Sequence, residues 1–262
     1  MKTLLIDLGN TALKWALLGD ELNPRTVVHR GRSGFKEELY AEWLALRPDR
    51  VLGCTVAAPD LAFSITKFFN ENGIPWNWVR SQAAFEGDGL TLRNAYDNPM
   101  QLGADRWCAA LGAIDVAPGE SLLVVQMGTA TTADAILCEG RDRYVFLGGR
   151  IAPGPALVKQ CLEAGIPSLQ GALGQWRAFP TNTRDAITTG ILDLQASLVR
   201  TAREELLRRA GPGGVKVVLA GGAAGFIEPR LRELVPEGVM RRHNLVLLGL
   251  AAQARHGRLR EA

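Results

Sequence analysis

The stretch "LLVVQMGTATTADAIL", residues 122–137, begins as an apolar strand and turns at Gly128. Beyond the turn, a run of threonine and alanine leads to a single acid, Asp134. Because glycine lets the backbone approach a ligand closely and threonine hydroxyls donate hydrogen bonds, such a turn suits a phosphate group. The residue that leads into it is Gln126, an uncharged amide. On these residues alone a working phosphate site, a modified one and an ordinary hairpin all stay open.

A second stretch, "LLIDLGNTALKWALLGD", shares the plan of the first and begins at Leu4, 118 residues before Leu122. Each copy has an apolar strand, a polar residue at its end, a glycine two positions later, a hydroxyl or amide, and a second strand. Two halves that open with such a hairpin predict a duplicated domain with a cleft between the copies. Short motif matches also arise by chance, so two unrelated buried hairpins explain the pattern equally well.

The rest of the chain alternates strands with helices, which predicts an α/β fold. Helices are expected over 34–47, 59–73, 103–119 and 186–210, with a closing helix in "HNLVLLGLAAQARHG". The long helix should stop at the glycines and proline of 211–214. Residues 81–99 and 166–185 are expected to be loops, a strand pair should turn near 139–140, and "GGRIAPG" should form a glycine turn before a helix.

Composition excludes several classes of protein. The net charge of +3 is too small to indicate a nucleic-acid binder. The four cysteines are far apart with no CxxC pair, so neither a disulfide framework nor a metal site is expected. The three histidines are scattered and are expected at the surface. The opening "MKTLLIDLGN" is too short for a signal peptide or a membrane span, so a soluble, cytoplasmic protein is expected.

The segment "DLGNT", residues 7–11, has the residues of a phosphate turn. Gly9 lets the backbone turn closely, so that its N–H and those of Asn10 and Thr11 can face a phosphate. Asp7 can hold Mg²⁺ through water, since this ion prefers oxygen ligands and keeps several waters. Lys14 on the next strand can supply a point charge. A plain hairpin turn uses the same residue types.

The segment "YDNPMQLGADRW", residues 96–107, places an acid and an arginine at the start of a helix. A helix N-terminus favours anions, and Arg106 offers two donors to a carboxylate or phosphate. Asp105 can take a proton from a substrate hydroxyl. For an isolated pair, the better interpretation is an acid that caps the helix and pairs with the arginine. Glycine stretches at 148–154 and 220–226 also permit close approach to a ligand.

Six stretches in this order resemble the type III pantothenate kinases, which belong to the sugar kinase, heat-shock ATPase and actin superfamily. They are "DLGNTALK", "YDNPMQLGADRW", "QMGTATTAD", "LGGRIAPG", "NTRDAITTG" and "AGGAAG". The resemblance implies two ribonuclease-H-like (actin-like ATPase) domains, residues 1–117 and 118–262, and a homodimer. It also implies ATP-dependent phosphorylation of pantothenate with Mg²⁺, the first step of coenzyme A biosynthesis.

The resemblance assigns roles to residues that match the family's motifs. Asp105 is the expected proton acceptor. The expected ATP-binding residues are Asp7, which lies near Mg²⁺, Leu8, Gly9, Asn10, Thr11, Ala12, Leu13, Lys14 and Thr129. The expected pantothenate-binding residues are Tyr96, Gly103, Ala104, Asp105, Arg106 and Thr183, the last of them close to the dimer interface.

Gln126 departs from the family pattern, which has an aspartate at this position, associated with a monovalent cation such as K⁺ or NH₄⁺. Gln126 keeps a carbonyl oxygen but lacks the charge, so weaker or lost cation binding is expected. The lost acid also leaves a rival hypothesis, a kinase-derived accessory or regulatory binding protein with little or no kinase activity. A third is a superfamily kinase or phosphatase that acts on a sugar or polyphosphate.

Overall fold

The computed structural model describes residues 1–87, 89–211, 214–236 and 238–256. It confirms the predicted α/β class, with two sheets and helices packed on them. The strands are β1 (Thr3–Leu8), β2 (Ala12–Leu17), β3 (Arg25–Val28), β4 (Arg50–Thr55), β5 (Trp76–Trp78), β6 (Ala84–Gly87), β7 (Leu90–Asn94), β8 (Leu122–Met127), β9 (Ala130–Gly140), β10 (Arg143–Pro153), β11 (Lys216–Ala220) and β12 (Val239–Arg241). The helices are α1 (Phe35–Leu46), α2 (Pro59–Glu71), α3 (Ala104–Val116), α4 (Pro155–Gly165), α5 (Thr183–Ala210), α6 (Ala224–Leu234) and α7 (Leu245–His256).

The chain forms two compact units. Unit 1 comprises residues 1–119 and 139–146 and the C-terminal segment from Asn244, and unit 2 comprises 120–138 and 147–243. The first sheet of unit 1 has the order β3-β2-β1-β4-β5, in which β1 pairs antiparallel with β2 and parallel with β4. Strand β1 is an almost continuous apolar run because both of its faces are covered.

The core of unit 1 has an aromatic side and a helical side. Trp43 of α1 and Phe69 of α2 stack on each other with ring centroids 5.3 Å apart, next to Trp15 of β2. Helices α3 and α7 pack against each other and against β1 and β4. The predicted position of helix α2 is confirmed. Pro59 lies in its first turn, and Gly73 follows its end with a φ of 63°.

The loop predicted over 81–99 is wrong, since it contains the hairpin β6–β7 and a 3-10 turn at Pro99–Gln101. The first four residues of β10 then pair in parallel with β7, all within unit 1. The buried side chains of Phe85, Leu92 and Asn94 support this hairpin. Its strands are short, and the polar turn-forming residues around them hid the alternation of buried and exposed positions.

Unit 2 contains the strand order β12-β11-β8-β9-β10, with β8 and β9 antiparallel and β11 parallel to both β8 and β12. Helices α5 and α6 pack on this sheet around a core that includes Val125, Met127 and Ala196. The quoted stretch is therefore a hairpin. Its acid, Asp134, lies fully buried on β9.

Three further boundaries differ from the predictions. The strand pair turns at 141–142 rather than at 139–140, and the glycine pair of "GGRIAPG" lies inside β10 instead of forming a turn. Helix α5 begins at Thr183, three residues earlier than expected, because the Asn182 side chain accepts the backbone N–H of Asp185 and caps it. The helix ends before Gly211, whose φ is 66°, while residues 212 and 213 of the predicted stop lie outside the described residues.

Candidate functional site

The β1–β2 turn forms the first part of the site. Gly9 donates its N–H to the carbonyl oxygen of Ala12 at 3.0 Å, which closes the turn. A Cβ on Gly9 would lie 3.2 Å from that same oxygen, so a side chain would press on the turn. Leu8 and Leu13 are fully buried in the core. Both residues are among the eight in this hairpin that are predicted to bind ATP. Because their side chains are buried, they can contact a ligand only through backbone atoms.

His29 stabilises the β1–β2 turn, a role that the sequence did not predict. Its Nε2 lies 2.9 Å from the carbonyl oxygen of Gly9, and its ring stacks on Phe35 at 5.8 Å. The backbone N–H of His29 also donates to the carbonyl oxygen of Thr11. His29 is partly exposed, so the expectation of a surface histidine holds in part, while its ring also contacts the turn.

Asp7 ends β1 directly opposite Lys14 of β2 and beside Cys54 of β4. Burial raises the pKa of Asp7 from 3.8 to about 7, Lys14 lowers it, and the charge of Asp105 raises it further. Helix α3, which carries Asp105, packs on β4, the strand beside β1, so Asp7 and Asp105 lie in the same part of unit 1. The structure therefore brings together the two acids that the sequence singled out.

The start of α3 holds Asp105 by its backbone. The Asp105 carboxylate accepts the N–H of Arg106 at 2.8 Å. A Cβ on Gly103 would lie only 2.6 Å from the same carboxylate, so glycine is the residue that fits there. Burial raises the pKa of Asp105, and the hydrogen bond and charge of Arg106 oppose it. The helix-capping interpretation is thus partly right, since Asp105 does satisfy one free N–H of the helix start.

Arg106 is buried and held by aromatic rings. Its Nη1 donates to the Tyr96 hydroxyl at 2.9 Å, and its guanidinium lies 5.8 Å from the ring centroids of Tyr96 and Phe146. A guanidinium packed against two rings keeps one orientation, which suits a carboxylate or phosphate ligand. Phe146, which no sequence signal marked, comes to this site from the first part of β10.

Two thiols lie behind the acids. Cys54 is adjacent to Asp7 on the sheet, and its hydrogen bond with Cys108, together with burial, raises the pKa of the Cys54 thiol. The Cys54 thiol therefore stays uncharged beside Asp7. The prediction of free cysteines is confirmed. Among the residues that the structure describes, no cluster of three or more histidine, cysteine or acidic side chains is arranged to hold a metal ion.

The unfolding free energy should reveal the burial of Asp7. In the metal-free protein the folded state keeps the proton of Asp7 up to about pH 7, whereas an unfolded chain releases it near 3.8. The stabilising contribution of protonated Asp7 is present below pH 3.8 and is lost as the pH rises to about 7. Asp7→Asn does not titrate, so we expect this variant to gain up to about 4 kcal/mol over the parent at pH 8, and little at pH 4.

Urea unfolding between pH 4 and pH 8 measures this difference. The control is Asp142→Asn, at an exposed hairpin turn, which should change stability equally at each pH. A constant difference between Asp7→Asn and the parent across that range would contradict the buried acid.

In unit 2, three glycine stretches of the sequence meet at the end of β8. Gly154 donates its N–H to the Thr129 carbonyl oxygen at 2.9 Å, and a Cβ on Gly154 would lie 2.1 Å from the Gly128 carbonyl oxygen. A Cβ on Gly221, where φ is 102°, would lie 2.2 Å from the carbonyl oxygen of Met127. The glycines are needed here because backbone packs on backbone.

Gln126 and the threonines occupy the same end of the hairpin. Gln126 is partly buried and pairs across the sheet with Thr132 on β9. The Oγ1 atoms of Thr131 and Thr132 are buried without a hydrogen-bond partner among the described residues. Thr129 is exposed at the turn. This end of unit 2 therefore combines unused hydroxyl oxygens with an accessible threonine.

Thr183 is the first, exposed residue of α5. Asp185 accepts the backbone N–H of Gln175 at 2.8 Å and a side-chain N–H of Asn182 at 3.0 Å. These bonds fasten the preceding loop to the helix start that carries Thr183. Thr129, Gln126 and Thr183 belong to unit 2, whereas the predicted residues in 7–14 and 96–106 belong to unit 1.

Solved structures share this fold at low sequence identity. A conserved Baf family protein from Campylobacter jejuni aligns with a TM-score of 0.54 at 19% identity, covering 96% of this chain and 98% of its own. A non-polymerisable ParM mutant aligns at 0.53 and 9% identity, and an archaeal actin homolog at 0.50 and 12%, each covering 97% of this chain and 99% of its own. The fold is that of the actin-like ATPases.

Sequence comparison identifies the family within that fold. The profile of the type III pantothenate kinases matches residues 3–205. The type III pantothenate kinase of Aromatoleum aromaticum is 37% identical over 255 residues, which is 96% of this chain and 97% of the relative. That of Methylibium petroleiphilum is 37% identical over 242 residues, 88% and 91% of the two chains. The chain belongs to the type III pantothenate kinase family, as the resemblance in its motifs predicted.

None of the helices in the described part of the chain is both long enough and apolar enough to cross a membrane.

Proposed function

We propose that this protein transfers the γ-phosphoryl group of ATP to the hydroxyl of pantothenate, which gives 4'-phosphopantothenate at the first step of coenzyme A biosynthesis. The observation that carries the proposal is the meeting of Asp7 and Asp105 in unit 1. One acid ends a strand before a tight glycine turn, and the other begins a helix beside a fixed arginine. Phosphoryl transfer requires such positioning more than covalent catalysis.

The β1–β2 hairpin fits the triphosphate of ATP. The N–H groups of Asn10 and Thr11 are offered by the turn that Gly9 closes, and Lys14 adds a positive charge beside them. The oxygen donors of Asp7 suit Mg²⁺ held through water, and that ion, when bound, neutralises charge on the phosphates. Asp7 therefore has two roles, to orient the cation and to keep its carboxylate within reach of Asp105.

Asp105 serves as the proton acceptor for the pantothenate hydroxyl. Burial raises its pKa, which makes the carboxylate a better base than an exposed aspartate. Arg106 is fixed by Tyr96 at 2.9 Å and points its guanidinium at the carboxylate of the substrate. Gly103 and Ala104 allow the substrate to approach the helix start.

The residues of unit 2 complete the proposal. Thr129 contacts ATP, and Thr183 contacts pantothenate near the interface of a homodimer that acts in the cytoplasm. The two proposed ribonuclease-H-like domains are residues 1–117 and 118–262. The compact units differ from this division because residues 118–119 and 139–146 and the segment from Asn244 belong to unit 1.

A direct assay tests the proposed function. Purified protein is incubated with ATP, Mg²⁺ and pantothenate, ADP release is followed, and the phosphorylated product is identified by mass. Turnover that depends on pantothenate is expected. No turnover at any concentration of K⁺ or NH₄⁺ would contradict the kinase.

Gln126 leads to a prediction about monovalent cations. Because an amide lacks the charge of a carboxylate, we expect K⁺ and Na⁺ to support the same turnover within about twofold. We expect Gln126→Asp to restore a preference for K⁺, since a carboxylate beside the buried threonine hydroxyls would favour a bound cation. Steady-state rates in K⁺ and Na⁺ at equal ionic strength measure both.

The matched control is Gln170→Asp, at an exposed site of the same unit, which should leave the K⁺ to Na⁺ ratio unchanged. Strong activation of the parent by K⁺ over Na⁺ would refute the prediction.

A further inference from the structure

Unit 2 contains a cavity of about 290 Å³ that none of the proposed kinase residues lines. It lies between the C-terminal half of α5 and the strands β8, β9 and β10. The charged side chains in its lining are Arg150 of β10 and Glu205 and Arg209 of α5. The volume is at the lower end of the range for small-molecule sites, so a small ligand would fit.

Arg150 lines this cavity and carries an unused hydrogen-bond donor. Its Nη1 is buried and has no acceptor among the described residues. A buried donor without a partner is costly, and more so when the group is charged. A guanidinium offers its donors in a planar fork, which a carboxylate or a phosphate matches with two parallel hydrogen bonds. An anion in the cavity would satisfy this group.

The remaining charges favour an anion as well. Arg209 adds a second guanidinium to the lining. Glu205 is the one acid in that lining, and Arg208 pairs with it at 2.6 Å. The negative charge in the cavity wall is therefore already balanced, while two positive charges face the space.

The other walls are apolar and continuous with the core of unit 2. Leu123, Ala133, Ala202 and Leu206 belong to that core, and Ala135 packs against it. The glycine pair that the sequence singled out leaves space beside Arg150, because a Cβ on Gly148 would meet no atom within 4 Å. A ligand whose binding is strengthened by these apolar walls must carry an apolar part next to its anionic group.

We propose that this cavity binds a small amphipathic anion, with a carboxylate or phosphate head on Arg150 and Arg209 and a short aliphatic body against the alanine and leucine wall. The site lies wholly within unit 2. Its test uses no kinase turnover, so it stands independently of the proposed function.

Isothermal titration of the full-length protein with four probes tests the proposal. Octanoate and octyl phosphate carry both parts of the ligand, whereas 1-octanol and inorganic phosphate carry one part each. We expect at least one of the two amphiphiles to bind at least about tenfold more tightly than either half-probe. The tighter of the two identifies the head group as carboxylate or phosphate.

Variants locate the binding. Arg150→Gln should weaken the amphiphile by at least about tenfold, and its melting temperature should not fall, because the change removes an unpaired buried charge. Ala135→Leu should also abolish binding, because it fills the cavity. Arg200→Gln, which removes a cation from the same helix outside the cavity, is the control and should bind like the parent.

The proposal would be overturned if neither octanoate nor octyl phosphate bound more tightly than 1-octanol, or if Arg150→Gln bound the amphiphile as tightly as the parent does.

Discussion

Replacing Asp105 with asparagine is expected to lower the kcat for pantothenate phosphorylation by about 10²- to 10⁴-fold, the usual contribution of a general base. The carboxylate is the proposed acceptor of the substrate proton, and asparagine has no basic oxygen at neutral pH. The KM for pantothenate should change little, because Arg106 and Tyr96 keep their hydrogen bond. Steady-state ADP release at saturating ATP, with pantothenate varied, separates the two constants.

The same variant should fold as well as the parent protein. Asparagine keeps the oxygen that accepts the N–H of Arg106 at 2.8 Å. It also removes a negative charge that burial disfavours and that raises the pKa of Asp7. The melting temperature should therefore be unchanged or higher, which separates loss of chemistry from loss of structure.

Asp115→Asn is the matched control for this experiment. Asp115 lies on the same helix and is 37% exposed, and among the described residues its ion pair is a long one, with Arg255 at 3.9 Å. The Asp115→Asn variant should keep kcat within about twofold of the parent value, because surface ion pairs contribute little free energy. If Asp105→Asn turned over as fast as Asp115→Asn, Asp105 would not be the base.

Local sequence signals were enough to predict the hairpins and several helices. The β1–β2 and β8–β9 hairpins each follow from an apolar run that ends at a glycine turn, and α2 follows from Pro59 and Gly73. Such signals act over a few residues, so they survive without knowledge of the rest of the fold. The motifs also predicted the family correctly, whereas the roles of the site residues that they named stay a prediction.

Contacts between distant segments could not be predicted. Asp7 and Asp105 become neighbours only because α3 packs against β4, the strand next to β1. His29 contacts the Gly9 carbonyl oxygen because β3 pairs with β2. Nothing in the sequence near either residue predicts this contact. The glycines of β10 indicated a turn locally, whereas pairing with neighbouring strands keeps both of them inside the strand.

The crossing of α3 and α7 is a second feature that depends on tertiary structure, and it should make Gly249 hard to replace. A Cβ on Gly249 would lie 1.8 Å from the Cys108 carbonyl oxygen, and one on Gly112 would lie 2.1 Å from that of Leu245. Both obstacles are helix backbone, which cannot turn aside as a side chain can. We expect Gly249→Ala to destabilise the protein by about 3–5 kcal/mol, measured by urea unfolding.

Helix propensity predicts the opposite sign for this substitution, since alanine is favoured over glycine by about 1 kcal/mol inside a helix. Gly190→Ala in α5 measures the helix propensity alone, because a Cβ on Gly190 would meet no atom within 4 Å. We expect this variant to be more stable than the parent by about 0.5–1 kcal/mol. Gly249→Ala behaving like Gly190→Ala would contradict the close crossing.

The two crossing glycines should also be coupled. Once Gly249→Ala has separated the helices, Gly112→Ala adds little further strain, so the double variant should lose less stability than the two single losses combined. Because α3 carries Asp105 and Arg106, its displacement should lower kcat/KM in the fraction that remains folded. Independent, additive losses would mean that each glycine serves a separate contact rather than one shared helix crossing.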